Sequence, residues 1–268
     1  RKIKISSGAY IAPSFLGVLA FFILPFLVVI YYSLVDNPIS GNFVFLDNFT
    51  SIMGNTGSGR FGNIRLLEKT GASGVLFNKE EGSVKYNVEG MQVDLGGIVK
   101  GYAAARIMEI YQKEGLSGGL VSLGGNVQVF GKKPDGSPWR IGLKNPEGGK
   151  EYLGVLQAEN LAVVTSVDMS AFEQDGARYH HILDPATGYP AGAGLLCATV
   201  VSADGTLADG LSTAVFIMGR ERAVELWREH STEFDMVLYT EEGELYVTEG
   251  IYADFSSALP YTIIPVEP

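Results

Sequence analysis

The hydrophobic pattern at the start of the chain differs from the pattern in the rest. No charged residue occurs between positions 5 and 35, and residues 10–34 are dense in Phe, Leu, Ile and Val. A bilayer needs roughly 20 apolar residues, so the pattern predicts one transmembrane helix, with a buried helix of a globular domain as the alternative. Arg1, Lys2 and Lys4 precede the run and Asp36 follows it. The positive-inside rule then predicts a cytoplasmic N-terminus and an exported remainder.

Beyond residue 60 the apolar positions form short runs that alternate with turn signals, and a few segments have helical spacing. Strands are predicted at 84–88, 91–95, on both sides of a glycine corner within 120–131, and at 139–143, 161–166, 195–202, 234–240 and 244–248. A hairpin is predicted over 172–182, and helices over 102–113, 206–218 and 220–230. The pattern is typical of an α+β fold, with helices packed on a mixed, largely antiparallel sheet.

The composition of the chain argues against some partners and excludes some kinds of site. The 268 residues carry a net charge of −10, which argues against a nucleic-acid partner because no basic groove is available for phosphates. The single cysteine, Cys197, excludes an internal disulfide and a cysteine-based zinc cluster. Cys197 lies in an apolar run, so we expect a buried thiol rather than a nucleophile.

The segment Asp94-Leu-Gly-Gly-Ile-Val-Lys-Gly101 joins a predicted strand to a predicted helix through two glycines. Such a loop lets backbone N–H groups approach a phosphate, places the positive end of a helix beside it, and adds the cation of Lys100. It is not a P-loop, because Gly101 rather than Ser or Thr follows the lysine. A tight turn without a ligand is the alternative interpretation.

Two further segments carry candidate chemistry. His180-His181-Ile-Leu-Asp184 places two imidazoles beside a turn carboxylate, which suits general-base work on a hydroxyl; hydrogen bonding of the corner is the alternative. Asp209 and Thr213 lie four positions apart, on one face of a predicted helix. Their oxygens suit Mg²⁺, although such a pair is often only solvated. Three histidines in the whole chain make a zinc site a weaker hypothesis.

Taken in order, five blocks resemble the ApbE family, the FAD:protein FMN transferases. The blocks are Asp94-Leu-Gly-Gly-Ile-Val-Lys-Gly-Tyr-Ala-Ala, Val121-Ser-Leu-Gly-Gly-Asn, Trp139-Arg-Ile-Gly-Leu, His180-His-Ile-Leu-Asp-Pro-Ala-Thr-Gly-Tyr-Pro and Leu207-Ala-Asp-Gly-Leu-Ser-Thr-Ala. The resemblance implies cleavage of FAD at its pyrophosphate and transfer of FMN to a Ser or Thr hydroxyl of a target flavoprotein. AMP is the implied leaving group, and Mg²⁺ the implied cofactor.

The resemblance also implies roles for individual residues. Magnesium is expected at Gly97, Asp209 and Thr213, and Asp209 is thereby catalytic. Contacts with the flavin nucleotide are expected from Asp94, Lys100, His181 and Ile182. His181 is in addition the implied base for the incoming hydroxyl.

The first 53 residues resemble the first membrane span of sugar-type ABC transporter permeases, on Ala12-Pro-Ser-Phe-Leu, Leu24-Pro-Phe-Leu, Tyr31-Tyr-Ser-Leu and Phe45-Leu-Asp-Asn-Phe-Thr. We therefore divide the chain into a membrane anchor at 1–53, a flexible joint at 54–60 and a transferase domain at 61–268. We expect that domain to lack the family's usual N-terminal part and to lie outside the cytoplasmic membrane of a bacterium. Two hypotheses compete with active transfer: an inactive flavin-binding remnant, and a fusion fragment of a permease.

Overall fold

The structure is a computed structural model that describes residues 67–148, 152–167, 172–174 and 177–267, with backbone alone for 172–174 and 177–178. The predicted anchor, its transmembrane run and the joint at 54–60 lie outside these ranges. Contacts divide the chain into Arg1–Glu68 and Lys69–Pro268, and the fold below is that of the second unit. No helix in the described part is both long and apolar enough to cross a bilayer.

Within the described residues, the second unit contains two α-helices and fourteen short strands. The helices are α1, Val99–Lys113, and α2, Gly205–Glu229. The strands are β1 Val75–Asn78, β2 Ser83–Tyr86, β3 Gly118–Leu123, β4 Asn126–Gly131, β5 Trp139–Lys144, β6 Tyr152–Ala158, β7 Leu161–Val167, β8 Phe172–Gln174, β9 Ala177–Tyr179, β10 Leu195–Ser202, β11 Asp235–Thr240, β12 Leu245–Thr248, β13 Phe255–Ser256 and β14 Tyr261–Ile264. One-turn 3-10 helices lie at Ala72–Gly74 and Tyr252–Asp254.

A seven-stranded sheet forms the centre, in the order β14-β12-β11-β10-β7-β4-β3. Its neighbours pair antiparallel except for β12 and β14, which run parallel. The predicted α+β class with a mixed, largely antiparallel sheet is therefore confirmed. All eight residues of β10 are buried, because successive side chains point to opposite faces and both faces are covered.

Different layers cover the two faces of this sheet. On one face, Cys197 and Val201 of β10 share a core with Ile141 of β5 and Leu156 of β6, which belong to the three-stranded sheet β13-β6-β5. On the other face, Ala198 and Val200 pack with α2 residues such as Phe216. Helix α1 packs on the β3–β4 end through Ala104 and Met108. The described part of the second unit is thus a three-layer arrangement in which α1 and α2 lie on one side of the large sheet.

Helix α2 contains the break that the sequence predicts between 206–218 and 220–230. Gly219 has φ 77° and ψ 175°, outside the helical region, so two helical segments meet at this residue. A side chain here would also lie within 3 Å of Ala193. Glycine is therefore required both by its backbone angle and by the close approach of the chain.

The predicted strand at 91–95 is wrong. Strand β2 pairs instead with β1, which the sequence pattern did not predict, and residues 91–95 belong to no strand. Val93 and Leu95 are 47% and 57% exposed, so their apolar character does not mark a buried strand. The segment is held locally, because the Asp94 carboxylate accepts a hydrogen bond from the Gly96 N–H at 2.6 Å.

Candidate active site

One cavity of about 510 Å³ collects residues from five separate parts of the chain. Its walls are the loop before α1, the glycine corner between β3 and β4, the end of β7, residues 181–183 and the first half of α2. Six of the seven sequence-predicted site residues line it: Gly97, Lys100, His181, Ile182, Asp209 and Thr213. Asp94 does not line it.

The loop before α1 is an exposed turn. The Leu95 carbonyl accepts hydrogen bonds from the N–H groups of Ile98 at 3.0 Å and Val99 at 2.9 Å, which starts the helix directly after the loop. A Cβ built on Gly97 would meet nothing within 4 Å, so the backbone is open to close approach there. Asp94 fixes the turn through Gly96 and lies on its solvent side. Gly96 and Gly97 of this loop and Lys100 in the first turn of α1 line the cavity.

Asp209 is held rigidly in the opposite wall. Its side chain is only 4% exposed, in the second turn of α2. Asp204 begins this helix because its carboxylate accepts from the N–H groups of Thr206 at 2.8 Å and Leu207 at 3.1 Å. One oxygen of Asp209, Oδ2, accepts from the Gly101 N–H at 2.8 Å. This bond joins two residues that are 108 positions apart, and it connects the loop side of the cavity to the helix side.

The two helices touch where glycines permit it. A Cβ on Gly101 would lie 2.1 Å from the Gly205 carbonyl oxygen, and a Cβ on Gly205 would overlap the Gln128 side chain. Gln128 in turn donates to the Gly101 carbonyl at 2.8 Å. The glycines at 101 and 205 therefore allow the contact that brings Lys100 and Asp209 to one cavity.

A row of hydroxyl groups lies beside Asp209. Ser166 Oγ at the end of β7 is 2.9 Å from Ser212 Oγ and 3.1 Å from Thr213 Oγ1. Ser212 also donates to the Asp209 carbonyl at 2.9 Å. Thr213 was predicted as a site residue from the sequence, whereas Ser166 was not. Ser166 lies in a predicted strand, and no neighbouring residue indicates a functional site there.

Asn126 is a second residue whose place sequence reasoning missed. It is fully buried at the start of β4 and lines the cavity. Its Oδ1 lies 3.4 Å from Gln128 Nε2, and its Nδ2 has no hydrogen-bond partner within the ranges that the structure describes. A buried amide without a partner is costly, so a donor at the cavity wall is suited to an acceptor from a ligand or water. The sequence signal for Asn126 is its position, because it is a polar residue directly after Gly124 and Gly125.

The two histidines have different environments. His180 Nδ1 accepts from the Ile182 N–H at 3.3 Å, so its Nε2 carries the proton and donates to the Ala191 carbonyl at 3.0 Å. Its ring also meets Phe216 edge to face, with centroids 5.6 Å apart. For His180 the structure therefore supports the alternative interpretation, in which the histidine hydrogen-bonds the corner of the chain. His181 is exposed and lines the cavity, whereas Ile182 is 7% exposed and packs into the core behind it.

Asp184 stabilises the turn that follows His180 and His181. Its Oδ1 accepts from the Ala186 N–H at 2.8 Å, and its carbonyl accepts from the Gly188 N–H at 2.8 Å. Thr187 Oγ1 accepts from the Tyr189 N–H at 3.2 Å. These bonds build the turn and keep residues 181–183 at the cavity wall.

The donors of the cavity suit a hard cation better than a soft one. In the described part of the chain no three His, Cys, Asp or Glu side chains gather as a ligand cluster. A cation at this wall could use the Asp209 carboxylate, the Thr213 hydroxyl, backbone carbonyls and oxygens of a bound phosphate. That donor set fits Mg²⁺, which keeps water and substrate oxygens around one or two carboxylates. Cys197 contributes nothing, because burial raises the pKa of its thiol to about 12.

Comparison with known proteins agrees with this geometry. A sequence model of the ApbE family matches residues 63–238. The FAD:protein FMN transferase of Treponema pallidum is 38% identical over 150 residues, covering 52% of this chain and 41% of that protein. One from Klebsiella pneumoniae is 35% identical over 184 residues, covering 68% and 56%.

Solved structures give the same result. The crystal structure of the ApbE protein from Thermotoga maritima superposes with a TM-score of 0.64 at 36% identity, covering 71% of this chain and 62% of that one. The apo flavinyl transferase ApbE of Pseudomonas stutzeri superposes at 0.56 and 31% identity, covering 66% and 54%. This chain spans about half the length of the curated relatives it matches. Since the family pattern covers more than half of the residues, the chain belongs to the ApbE family.

Proposed function

We propose that this chain transfers the FMN part of FAD to a Ser or Thr hydroxyl of a target flavoprotein. The observation that carries the proposal is the meeting of Lys100, Asp209, Thr213 and His181 around one cavity of about 510 Å³. A cavity of this size is in the range of small-molecule sites. The relatives named above are FAD:protein FMN transferases, which supports the same reaction.

In the proposed reaction the acceptor hydroxyl oxygen attacks the phosphorus on the FMN side of the diphosphate. A new O–P bond forms, the bond to the bridging oxygen breaks, and AMP leaves. Such a transfer needs positioning and neutralisation of charge more than covalent chemistry by the protein. Lys100 supplies a cation, and the open backbone at Gly97 would let the phosphates approach the loop closely.

Three residues take the remaining roles. His181 accepts the proton of the attacking hydroxyl, since a neutral imidazole at an exposed cavity wall can act as a general base. Ile182 and His181 lie beside the flavin. Asp94 acts on the nucleotide through the loop that it fixes, because its own carboxylate is bonded to Gly96.

We include Mg²⁺ in the proposal, with Asp209, Thr213 and the backbone at Gly97 as its ligands. When bound, the ion would withdraw charge from the diphosphate oxygens. The Gly101 N–H holds Asp209 Oδ2, which leaves the other carboxylate oxygen for the cavity.

The test combines the chain with FAD, Mg²⁺ and a Thr-containing acceptor protein, and it measures AMP release and flavin fluorescence on the acceptor. Asp209→Asn keeps an oxygen for the Gly101 N–H but removes the charge, so we expect transfer to fall at least about a hundredfold. Glu229→Gln, an equal change of charge on the exposed end of α2, is the control and should transfer normally. If AMP is not released at millimolar FAD, the proposal fails.

One observation favours a second candidate, a flavin-binding protein without transfer. The loop side of the cavity is exposed, with Leu95 57% and Val99 49% exposed. This candidate predicts quenched flavin fluorescence and thermal stabilisation by FAD without AMP release.

We also propose, from the sequence alone, that residues 10–34 tether the domain to the outer face of a bacterial cytoplasmic membrane. The test expresses the full chain, extracts membranes with carbonate, and adds protease to spheroplasts. Recovery in the membrane pellet with cleavage from outside supports the tether, whereas a soluble chain contradicts it. Co-purification with transporter subunits would instead support the permease-fragment hypothesis.

A further inference from the structure

A second cavity of about 320 Å³ opens beside the candidate active site. The two cavities share Gly124, Gly125, Thr165 and Val167, so they are continuous at the glycine corner between β3 and β4. The lining that belongs to the second cavity alone is mainly apolar, with Val127 and Val163 from the large sheet. We refer to this second cavity as the β5 groove.

One wall of the groove is the edge of strand β5. Ile141, Gly142, Leu143 and Lys144 all line it, although successive side chains of a strand point to opposite faces. Four consecutive residues can border one cavity only if the cavity runs along the backbone edge. In the described part of the chain β5 pairs with β6 alone and ends its three-stranded sheet. Every second residue of such an edge directs its N–H and C=O away from the sheet.

We propose that the β5 groove binds an extended segment of the acceptor protein, which adds to β5 as a further strand. The segment would carry its Ser or Thr across the corner Gly124-Gly125 into the cavity that contains Lys100 and Asp209. This inference rests on the proposed function, because it names the docking site of the second substrate. Strand addition gives affinity through main-chain hydrogen bonds and selectivity through pockets for alternate side chains.

The groove also defines the chemistry of that segment. An apolar side chain near the hydroxyl-bearing residue would fill the space between Val127, Val163 and Leu143. Arg140 and Lys144 are exposed on β5, in a chain whose net charge is −10. A neutral or acidic segment therefore fits this edge better than a basic one.

The adenosine half of FAD is the competing occupant of the groove. The groups suited to phosphates, Lys100 and the open backbone at Gly97, lie in the main cavity, whereas the groove offers apolar side chains and a strand edge. A strand edge presents main-chain donors and acceptors in the spacing of another peptide backbone. For that reason we assign the groove to a peptide.

The direct test modifies the peptide and leaves the protein unchanged. The probe is a nonapeptide of alternating Val and Glu with a central Thr, labelled with a far-red dye whose emission is separate from that of FAD. Its binding to the full chain, saturated with FAD in the absence of Mg²⁺ so that transfer does not occur, is measured by fluorescence anisotropy. Two N-methylated versions carry methyl groups on alternate residues, in the two possible registers. Strand addition predicts that one register weakens binding at least about tenfold while the other changes it little. Equal effects of the two registers, or no binding of the parent peptide, would overturn the proposal.

A pair of variants separates the peptide from FAD as occupant. Val127 is half-buried and lines only the groove. Val127→Phe fills the groove, and Val127→Ala enlarges it as the matched control. We expect the Phe variant to weaken peptide binding at least about tenfold, the Ala variant to bind within about threefold, and the Kd for FAD to stay unchanged in both. A Kd for FAD that rises in the Phe variant together with unchanged peptide binding would assign the groove to adenosine.

These measurements remain informative if transfer itself fails. Peptide affinity is measured without transfer. If AMP is not released in the transfer assay, the proposed function is contradicted, but the comparison of the two N-methylated peptides still decides whether the peptide adds to β5 as a strand. AMP release without any dependence on register contradicts docking and leaves the function intact. The N-methyl comparison needs no variant, and FAD binding by each Val127 variant reports whether it has folded.

Discussion

The two walls of the candidate active site are built in opposite ways. Asp209 and Ser212 on the α2 wall are 4% and 1% exposed, and their polar atoms are bonded to Gly101 and to the residues beside them. On the loop wall, Leu95 and Val99 are 57% and 49% exposed, and α1 begins without a side-chain cap. One wall is part of the core, whereas the other is a surface turn attached to it.

This difference indicates a division of labour. Under the proposed function Asp209 would be a charged ligand of a metal ion, and such a ligand must be fixed before substrate arrives, because reorganising it during the reaction would cost rate. A loop that closes over a diphosphate can be ordered by the ligand, at the expense of part of the binding energy. We therefore expect changes on the α2 wall to affect turnover and changes on the loop wall to affect FAD affinity.

The largest effect should come from breaking the junction between the walls. In Gly101→Ala the new Cβ would lie 2.1 Å from the Gly205 carbonyl and 2.8 Å from the Asp209 Cβ, so α1 must move away. The shift would break the hydrogen bonds of Gly101 to Asp209 and Gln128. We expect the free energy of unfolding to fall by about 2–4 kcal/mol, measured by urea denaturation, with transfer lost.

Gly192→Ala is the matched control for this variant. A Cβ there would meet nothing within 4 Å, and its backbone angle is ordinary. Its stability should stay within about 0.5 kcal/mol of the parent protein. Equal destabilisation by the two substitutions would show that the junction has no special role.

A smaller effect is expected on the loop wall alone. Asp94→Ala removes the acceptor for the Gly96 N–H, so the loop loses its fixed turn while the core is untouched. We expect FAD affinity to fall about tenfold, measured by flavin fluorescence, with less than about 1 kcal/mol change in stability.

Asp94→Asn then tests how the carboxylate acts, because the amide oxygen can still accept from Gly96. FAD affinity close to that of the parent protein would show that Asp94 acts by fixing the turn at Gly96. Affinity as weak as in Asp94→Ala would instead favour the direct contact with the flavin nucleotide that the family resemblance implies. A kcat that falls while the KM for FAD is unchanged would contradict the division between the two walls.

The same two walls explain what could be predicted from the sequence. The α2 wall has local signals: a capping Asp204, a helical pattern and the break at Gly219. On the loop wall the apolar residues of 91–95 imitate a buried strand, yet they lie on the surface. Strand β6 was missed because Gly154 interrupts its pattern; there the glycine makes room for the ring of Phe255.

The meeting of the walls could not be predicted from any single segment. The bond between Gly101 and Asp209 spans 108 positions, and no local pattern encodes such a separation. The resemblance of ordered blocks identified these residues together. Asn126 ends one of those blocks, but its place in the cavity and that of Ser166 became visible only through the structure. Edge strand β14 was missed as well, because Pro260 and Pro265 beside it are typical of loops.

The smallest effect concerns, at high pH, the core between the large sheet and the β5–β6 layer, on the sheet face opposite to α2. Burial raises the pKa of Cys197 from 9.0 to about 12, and the hydrogen bond to Glu147 raises that of Tyr239 from 10.0 to about 12. Both groups keep their protons to higher pH when folded, so the folded state binds more protons in this window and stability falls as pH rises.

We therefore expect the free energy of unfolding, measured in urea, to be constant from pH 7 to 8 and to decline above pH 9, the ordinary thiol pKa. In Tyr239→Phe the decline above pH 10 should be shallower, because one of the two groups no longer titrates there. Tyr86→Phe, on an exposed tyrosine of β2, is the control and should leave the profile unchanged. Stability that rises with pH above 9, or a Tyr86 variant that flattens the curve as much as the Tyr239 variant, would mean that the buried strands under α2 do not carry this dependence.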